Sequence, residues 1–510
     1  MKWLNTIVDE LIKLHPEGEI TISSGVSPSG KYHLGTLREV MTAEVIANEL
    51  KRRGRQVRHL HIVDDLDVFR KVPADLPATY KQYLGKPLCD IPAPDGSNLS
   101  YADFYLKDLT AAADKLNLNL QIIRAHEKYR QGIFNKAIEK SLNQINDIRE
   151  ILEKVSGHKL DSGWSPIQIM EDGYLKTRPF ISLNTANKTI EYQDFEGKKQ
   201  SVNYSKGDVK LNWRVDWPAR WWLLNVEVEP FGRDHATKGG SYETGSAIVK
   251  QIFEAAPPLP VPYNFINRTG ETKKMSKSAG DTITAIELLE VLPAEVVWYF
   301  ILRSPPAKQL YFDEQAALIR IVDEFSELLA KPDKTEADNQ LIELSMQGIK
   351  KPTISSVPFS HLVASYQAAL KDKNRTLEII GRTEHRENTD KQAEIIKKEL
   401  DFIDHWLNNY APEDVKFALR EDVNSNEFTE SEQSFLNKLA GKIDEAPNDA
   451  DGNWFHTAIY DLKDDSGLEP KQLFETLYKL IIGKTSGPRG GWFLSILPRD
   501  WLLKRLRLEA

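Results

Sequence analysis

Cysteine is nearly missing: Cys89 is the only one in 510 residues. No intramolecular disulfide can form, and no thiolate-rich metal site can be built from a single sulfur. Long apolar runs are missing as well, and none is long enough to cross a bilayer. The opening residues Met1-Lys2-Trp3-Leu4-Asn5 show no secretory pattern. There is no internal repeat and no low-complexity tail. A cytoplasmic protein with no membrane partner is expected. Positive charge is also short, since the formal net charge is −8. That argues against a protein coating nucleic acid nonspecifically, although local basic patches bind phosphate whatever the sum. Lys51-Arg52-Arg53-Gly54-Arg55 is one such patch. Residues 484–510 form another, with six Lys or Arg against Asp500 and Glu509. The bland reading of either is a solvated surface. What remains is ordinary for a globular chain, with 41% hydrophobic and 28% charged residues and a length that suggests three or four domains.

The chain is organised around the stretch from Ser24 to Thr36. The alternation Glu19-Ile20-Thr21-Ile22-Ser23 before it reads as a buried strand. After it, Leu37, Val40, Ala43, Ala47 and Leu50 mark one face of a helix, and Gly54 supplies a stop. Val57 to Val63 reads as a second strand. A strand, a small-residue turn and a helix start aim free backbone N–H groups at whatever lies over the turn, which suits phosphate. His33 and Thr36 can donate to the same place, and Gly35 lets a flat base approach the backbone. Far along the chain, Lys274-Met275-Ser276-Lys277-Ser278 follows the apolar stretch Val261 to Ile266 and sets two lysines among small residues. Together the pieces resemble the two ATP motifs of class I aminoacyl-tRNA synthetases. Thr36 stands where many members have a second His. The resemblance implies catalytic roles for His33, Thr36, Lys274 and Lys277. It implies ATP contacts from Pro28, Gly30, Gly35, Gly232, Asp234 and Ile266, and from Met275, Ser276 and Ser278.

Asp64-Asp65-Leu66-Asp67-Val68-Phe69-Arg70-Lys71-Val72-Pro73 follows the second strand. Carboxylates at a strand's C-terminal end lie where open α/β sheets bind ligands, and these suit a positively charged group. The alternative is an acidic loop capping a helix. The stretch resembles that of class I lysyl-tRNA synthetases, so Asp65 and Asp67 are candidates for the ammonium groups of lysine. Asn212 to Trp222 holds tryptophans at 213, 217, 221 and 222, interleaved with Arg214, Asp216 and Arg220. Indole faces offer an apolar wall for a methylene chain and a surface for its ammonium. Val228 to Ala236 reads as a strand ending in a Gly-Arg-Asp-His turn, followed by the glycines 239, 240 and 245. Both blocks look like the class I lysyl pattern, which implies lysine contacts from Gly25, Ser27, Trp213 and His235. Ser27 stands where Thr is common and keeps the hydroxyl.

Between the two halves, Ile138, Leu142, Ile145, Ile148, Leu152 and Val155 mark one helical stripe, and Pro179 to Tyr204 alternates in β-like runs. Many class I lysyl enzymes carry paired cysteines in this insertion that hold zinc. Here Ile169 to Gly173 and Gln193 to Gly197 occupy the matching turns with no thiolate, so hairpins without structural zinc, and no metal site, are expected. Thr284 to Arg303 reads as helical and resembles the family's stem-contact region. The chain from 331 on reads as helical, with a linker near Lys351-Pro352-Thr353. Ser486 to Leu494 resembles the closing turn of the helical anticodon-binding cage shared with glutamyl enzymes.

The expected fold is α/β: a Rossmann-type class I synthetase domain with an insertion, then an all-α anticodon-binding region. Expected boundaries are 1–69 and 208–268 for the catalytic halves, 70–207 for the insertion, 269–330 for the lysine loop and stem-contact region, and 331–510 for the helical region. ATP, Mg2+, L-lysine and tRNA(Lys) are the implied reactants, acting on a monomer. Alternatives are a glutamyl or arginyl enzyme, a nucleotidyltransferase acting without tRNA, and a noncatalytic tRNA-binding paralogue. The acidic cluster speaks against glutamate, and the intact lysines speak against the paralogue.

Overall fold

A computed structural model describes residues 1–270, 283–447 and 450–509. They fall into two compact units. The first comprises Met1–Leu289, Val297–Phe312 and Glu343–Gln347, and the second comprises Glu290–Val296, Asp313–Ile342 and Gly348–Ala510.

The first unit is built on strands β1 (Ile20–Val26), β2 (Val57–Val63), β3 (Gln121–Arg124), β4 (Val228–Gly232) and β5 (Leu259–Tyr263). All pair in parallel, in the order β5-β4-β1-β2-β3. The chain leaves β1 toward β2 on one side and returns with β4 on the other. That reversal creates a crevice at the strands' C-terminal ends. Helix α1 (Leu34–Arg52) covers the sheet with Leu37, Val40, Ala43, Ala47 and Leu50 buried. Helices α2 (Trp213–Leu224) and α3 (Ser241–Gln251) flank β4 in sequence. Gly25 has a steric reason to be glycine, because a Cβ there would lie 3.0 Å from the Ile62 carbonyl oxygen on β2. Polar residues within this core are tied together. Ser24 Oγ lies 2.8 Å from His59 Nε2 and 2.9 Å from His61 Nδ1, and His59 Nδ1 lies 2.7 Å from Glu44.

Three expectations change. Strand β3 lies inside the segment expected to be a separate insertion, yet it forms the edge of the main sheet. The stripe from Ile138 to Val155 is two helices, Asn135–Asn143 and Ile145–Ser156, parted at Gln144. The stretch from Thr284 to Arg303 is also two, Ala285–Val291 and Ala294–Leu302, parted at Pro293, whose missing N–H and ring discourage a continuous helix. The insertion does contain hairpins. Ile167–Glu171 pairs with Tyr174–Thr177 across Asp172 and Gly173, both at positive φ, as a tight primed turn requires. Phe180–Asn184, Thr189–Gln193 and Lys199–Asn203 make a three-stranded meander. The basic run at 51–55 is partly neutralised within the chain, since Arg52 and Arg53 both bond Glu49, at 2.7 and 2.8 Å.

The second unit is helical. Its core gathers Phe435, Leu439, Leu473, Leu477, Phe493 and Leu502. Thr429 and Glu432 form a capping box that starts the helix Glu430–Asp444. Helices Gly452–Tyr460 and Gly490–Ile496 approach so closely that a Cβ on Gly491 would overlap the Gly452 carbonyl oxygen. Glu399 is buried and accepts the Ser355 N–H at 2.8 Å, and burial pushes its pKa up to about 8. Among the described residues no helix is long and apolar enough to cross a membrane.

Candidate active site

A cavity of about 320 Å³ opens at the crevice between β1 and β4. The end of β1 contributes Gly25 and Ser27, and α1 contributes Glu39. The segment after β2 gives Asp64, Asp67 and Arg70. Helix α2 gives Trp213, Trp217 and Arg220, while β4 and the turn beyond it give Glu229, Phe231 and His235. Four carboxylates therefore face two guanidinium groups in the lining, an excess of two acidic groups.

The hydrogen bonds separate these carboxylates into kinds. Asp64 pairs with Arg220 at 2.8 Å and lies 3.7 Å from Lys210. Burial alone would raise its pKa, but the two cations outweigh burial and hold it below the ordinary value. Arg220 and Lys210 also pair with Asp216, which accepts the Tyr129 hydroxyl. Asp67 takes Arg70 at 2.7 Å, yet burial and the charge of Asp64 raise its pKa. Glu39 accepts the Gly25 N–H at 2.8 Å and the Tyr263 hydroxyl at 2.7 Å. Glu229 accepts the indole N–H of Trp217 at 3.1 Å, that of Trp221, and the Ser23 hydroxyl at 3.4 Å. Burial raises the Glu229 pKa despite those donors. A wall with two carboxylates pushed toward protonation by burial gains from a bound cation.

The tryptophans divide in the same way. Trp217 and Trp221, four residues apart on α2, orient Glu229, and Trp222 stacks on Phe253 at 5.2 Å, away from the cavity lining. Trp213 stacks on Trp217 at 5.3 Å, and the Arg220 guanidinium lies 5.8 Å from its ring centre. His235 lies against both, 5.4 Å from Trp217 and 6.2 Å from Trp213. The block read from sequence as a substrate wall is half wall and half scaffold.

Gly25, Ser27, Asp67, Trp213 and His235 thus come together on one cavity. Asp65 does not. It is fully buried, and its carboxylate binds Arg124 at 2.5 Å, the His126 N–H at 2.9 Å and the His126 ring at 2.6 Å. The chain turns just after β2, and Asp64 and Asp65 take different partners there. Glu39, Asp64, Arg70, Arg220 and Glu229 were not among the expected site residues. Asp64 and Arg70 stood in the acidic run and Arg220 among the tryptophans, while Glu229 carried a signal as a carboxylate inside the apolar strand Val228–Gly232 and Glu39 carried none.

His33 and Thr36 sit at the start of α1, outside the cavity lining. His33 is the N-cap, and its Nδ1 accepts the Gly35 N–H at 3.0 Å. The neutral ring then carries its proton on Nε2. The close approach at Gly35 is made by this ring, since a Cβ there would meet His33 Cε1 at 2.8 Å. Pro28 and Gly30 are buried in the loop after β1. Gly232 ends β4 beside Asp234, whose Oδ1 would lie 2.6 Å from a Cβ on Gly232. Asp234 itself is exposed, on the turn Arg233–Ala236. Ile266 is buried at the start of the strand Ile266–Arg268. Lys274, Met275, Ser276, Lys277 and Ser278 lie outside the described residues.

A parallel sheet with an acidic cavity over its reversal point is the frame of an α/β ligand-binding domain. A family model described as tRNA synthetases class I (K) matches residues 1–348, and one described as an anticodon binding domain matches residues 370–509. A lysine–tRNA ligase of Methanosarcina acetivorans is 36% identical over 99% of this chain and 98% of its own. Those of Archaeoglobus fulgidus and Pyrococcus horikoshii are 34% and 32% identical, over 99% and 100% of this chain and 99% of each of theirs. The chain belongs to the class I tRNA synthetases of that family. A solved glutamate–tRNA ligase from Elizabethkingia meningosepticum aligns over 96% of this chain and 98% of its own at 13% identity, with a TM-score of 0.42.

Proposed function

We infer that this chain is a lysine–tRNA ligase, which activates lysine with ATP and transfers it to tRNA(Lys). The observation that carries the reading is the cavity, with four carboxylates against two arginines at the sheet's reversal point. The full-length likeness to lysine–tRNA ligases supports the amino acid's identity. A lysine side chain brings a second ammonium group, and Glu39 receives it. Glu39 lines the cavity at Gly25, whose N–H it accepts, and it accepts the Tyr263 hydroxyl as well. Gly25, Ser27 and His235 face the α-carbon end, and Trp213 packs along the methylenes. Asp65 orders Arg124 and His126 and is no longer assigned to substrate.

Activation is an in-line attack of the lysine carboxylate on the α-phosphate of ATP, which enters as its Mg2+ complex, and pyrophosphate leaves. The nucleophile is ionised at neutral pH, so no general base is required. The protein aligns the two reactants and neutralises charge developing on the phosphates. His33 and Thr36, at the start of α1, hold phosphate oxygens. Lys274 and Lys277 close on the leaving pyrophosphate, and Asp234 binds the ribose. The lysyl group then passes to the 2′-hydroxyl of the terminal adenosine of tRNA, with the helical unit holding the anticodon. The enzyme acts as a monomer in the cytoplasm, where tRNA and ATP are at hand.

The test is ATP–pyrophosphate exchange with lysine, glutamate and arginine separately, with and without total tRNA. Exchange that requires lysine supports the reading, and its appearance only with tRNA would show that the helical unit governs activation. Exchange with arginine or glutamate instead would overturn the pocket assignment.

A further inference from the structure

In the helical unit, three side chains bring metal-ligand atoms together away from any residue assigned above. His361 lies in the first turn of the helix Phe359–Ala368, while Glu384 and His385 immediately precede the helix Arg386–Asn409. His361 Nδ1 and His385 Nε2 are 2.9 Å apart, and Glu384 Oε1 lies 3.7 Å from His385 Nε2. All three ligand atoms lie within 4.8 Å of one another. We propose that His361, Glu384 and His385 form a binding site for one zinc-like divalent ion, which fastens the turn at Glu384–His385 to the helix Phe359–Ala368.

The distances fit this ion. Ligands about 2.05 Å from a tetrahedral Zn2+ stand roughly 3.3 Å from each other. The separations of 2.9 and 3.7 Å fall on either side of that value, and the third lies within 4.8 Å, so a swing of the exposed Glu384 carboxylate toward the two rings completes the geometry. Two imidazoles and one carboxylate suit a borderline ion of the zinc type, whereas magnesium and calcium prefer oxygen ligands. The His361 ring and the backbone at His385 are held in place before any ion arrives. Trp492 stacks on His361 with centroids 4.1 Å apart and planes at 20°. The backbone N–H of His385 donates to the Thr383 hydroxyl at 3.2 Å, and that hydroxyl donates to the Ile380 carbonyl at 2.7 Å, which fixes the turn that carries His385. Glu384 is exposed, so the fourth position faces water. Arg489 opposes a cation here, because its charge is felt at His361, and Glu384 acts in the opposite sense at the same ring. The site is separate from the hairpins of the first unit, where the missing cysteines pointed to no zinc.

The experiment is a titration of the chelator-stripped full-length protein with Co2+, read by visible absorption and Trp492-sensitive fluorescence, followed by displacement with Zn2+. One equivalent is expected to bind, with an absorption typical of tetrahedral Co2+, and Zn2+ is expected to raise the melting temperature. His361→Gln and His385→Gln are each expected to weaken binding at least tenfold and abolish the thermal shift. Glu384→Gln, at an exposed position that folding does not need, is expected to weaken binding in the same direction. Absence of stoichiometric binding, or binding that all three variants leave unchanged, would show that the two histidines form a hydrogen-bonded pair only and would overturn the proposal.

Discussion

Replacing Glu39 by Gln removes one negative charge from the cavity wall and leaves its volume and its contacts with Gly25 and Tyr263 in place. One oxygen still accepts the Gly25 N–H, and the new amide can donate to the Tyr263 oxygen, so the 2.8 and 2.7 Å contacts have successors. What disappears is a charge-assisted bond to the substrate's distal ammonium, worth about 1.5–3 kcal/mol. At 1.4 kcal/mol per decade this is roughly a 10- to 150-fold rise in the KM for lysine. The KM for ATP should move less than about twofold, because the phosphate-binding helix start is untouched. Pyrophosphate exchange measured against each substrate separates the two constants. An unchanged lysine KM would place the ammonium elsewhere in the cavity, and equal rises in both constants would show that Glu39 acts on the fold rather than on the substrate.

Three further outcomes are expected. Gly35→Ala pushes a methyl group into the His33 ring, 2.8 Å away, and should cost about 0.5–2 kcal/mol of stability through the lost cap, seen in urea unfolding, together with a raised KM for ATP. Trp213→Ala removes the stack on Trp217 and the face offered to Arg220, and should lower stability by about 1–2 kcal/mol while raising the lysine KM. Glu399 has its folded pKa raised from 4.5 to about 8, so its contribution is fully present below pH 4.5 and is lost as pH rises through about 8. Melting temperatures of Glu399→Gln should therefore exceed those of the parent at pH 9 and converge on them as pH falls below 4.5, and parallel curves would refute the assignment.

The local frame was legible because it rests on short-range pattern. Alternation gave β1, the apolar spacing gave α1, and the small-residue turn marked the phosphate-suited helix start. The carboxylates were harder. Asp64, Asp65 and Asp67 cannot be told apart in the sequence, because Arg124 and His126, which occupy Asp65, lie about sixty residues further on. Glu39 looks like any polar residue on a helix until Gly25 and Tyr263 are seen beside it. The tryptophan spacing was visible, but Glu229, which gives Trp217 and Trp221 their role, sits in another element. The edge strand β3 was absorbed into the insertion because four residues carry too little periodicity to stand out. The break at Gln144 has no strong sequence signal, whereas the one at Pro293 does.

The most direct measurement is charging of total tRNA by the purified protein, with labelled lysine, arginine and glutamate supplied in turn alongside ATP. Lysine alone should become acid-precipitable with the tRNA, and Lys277→Ala should abolish it. Charging with arginine or glutamate in place of lysine, or none at all by a folded protein, would contradict the account.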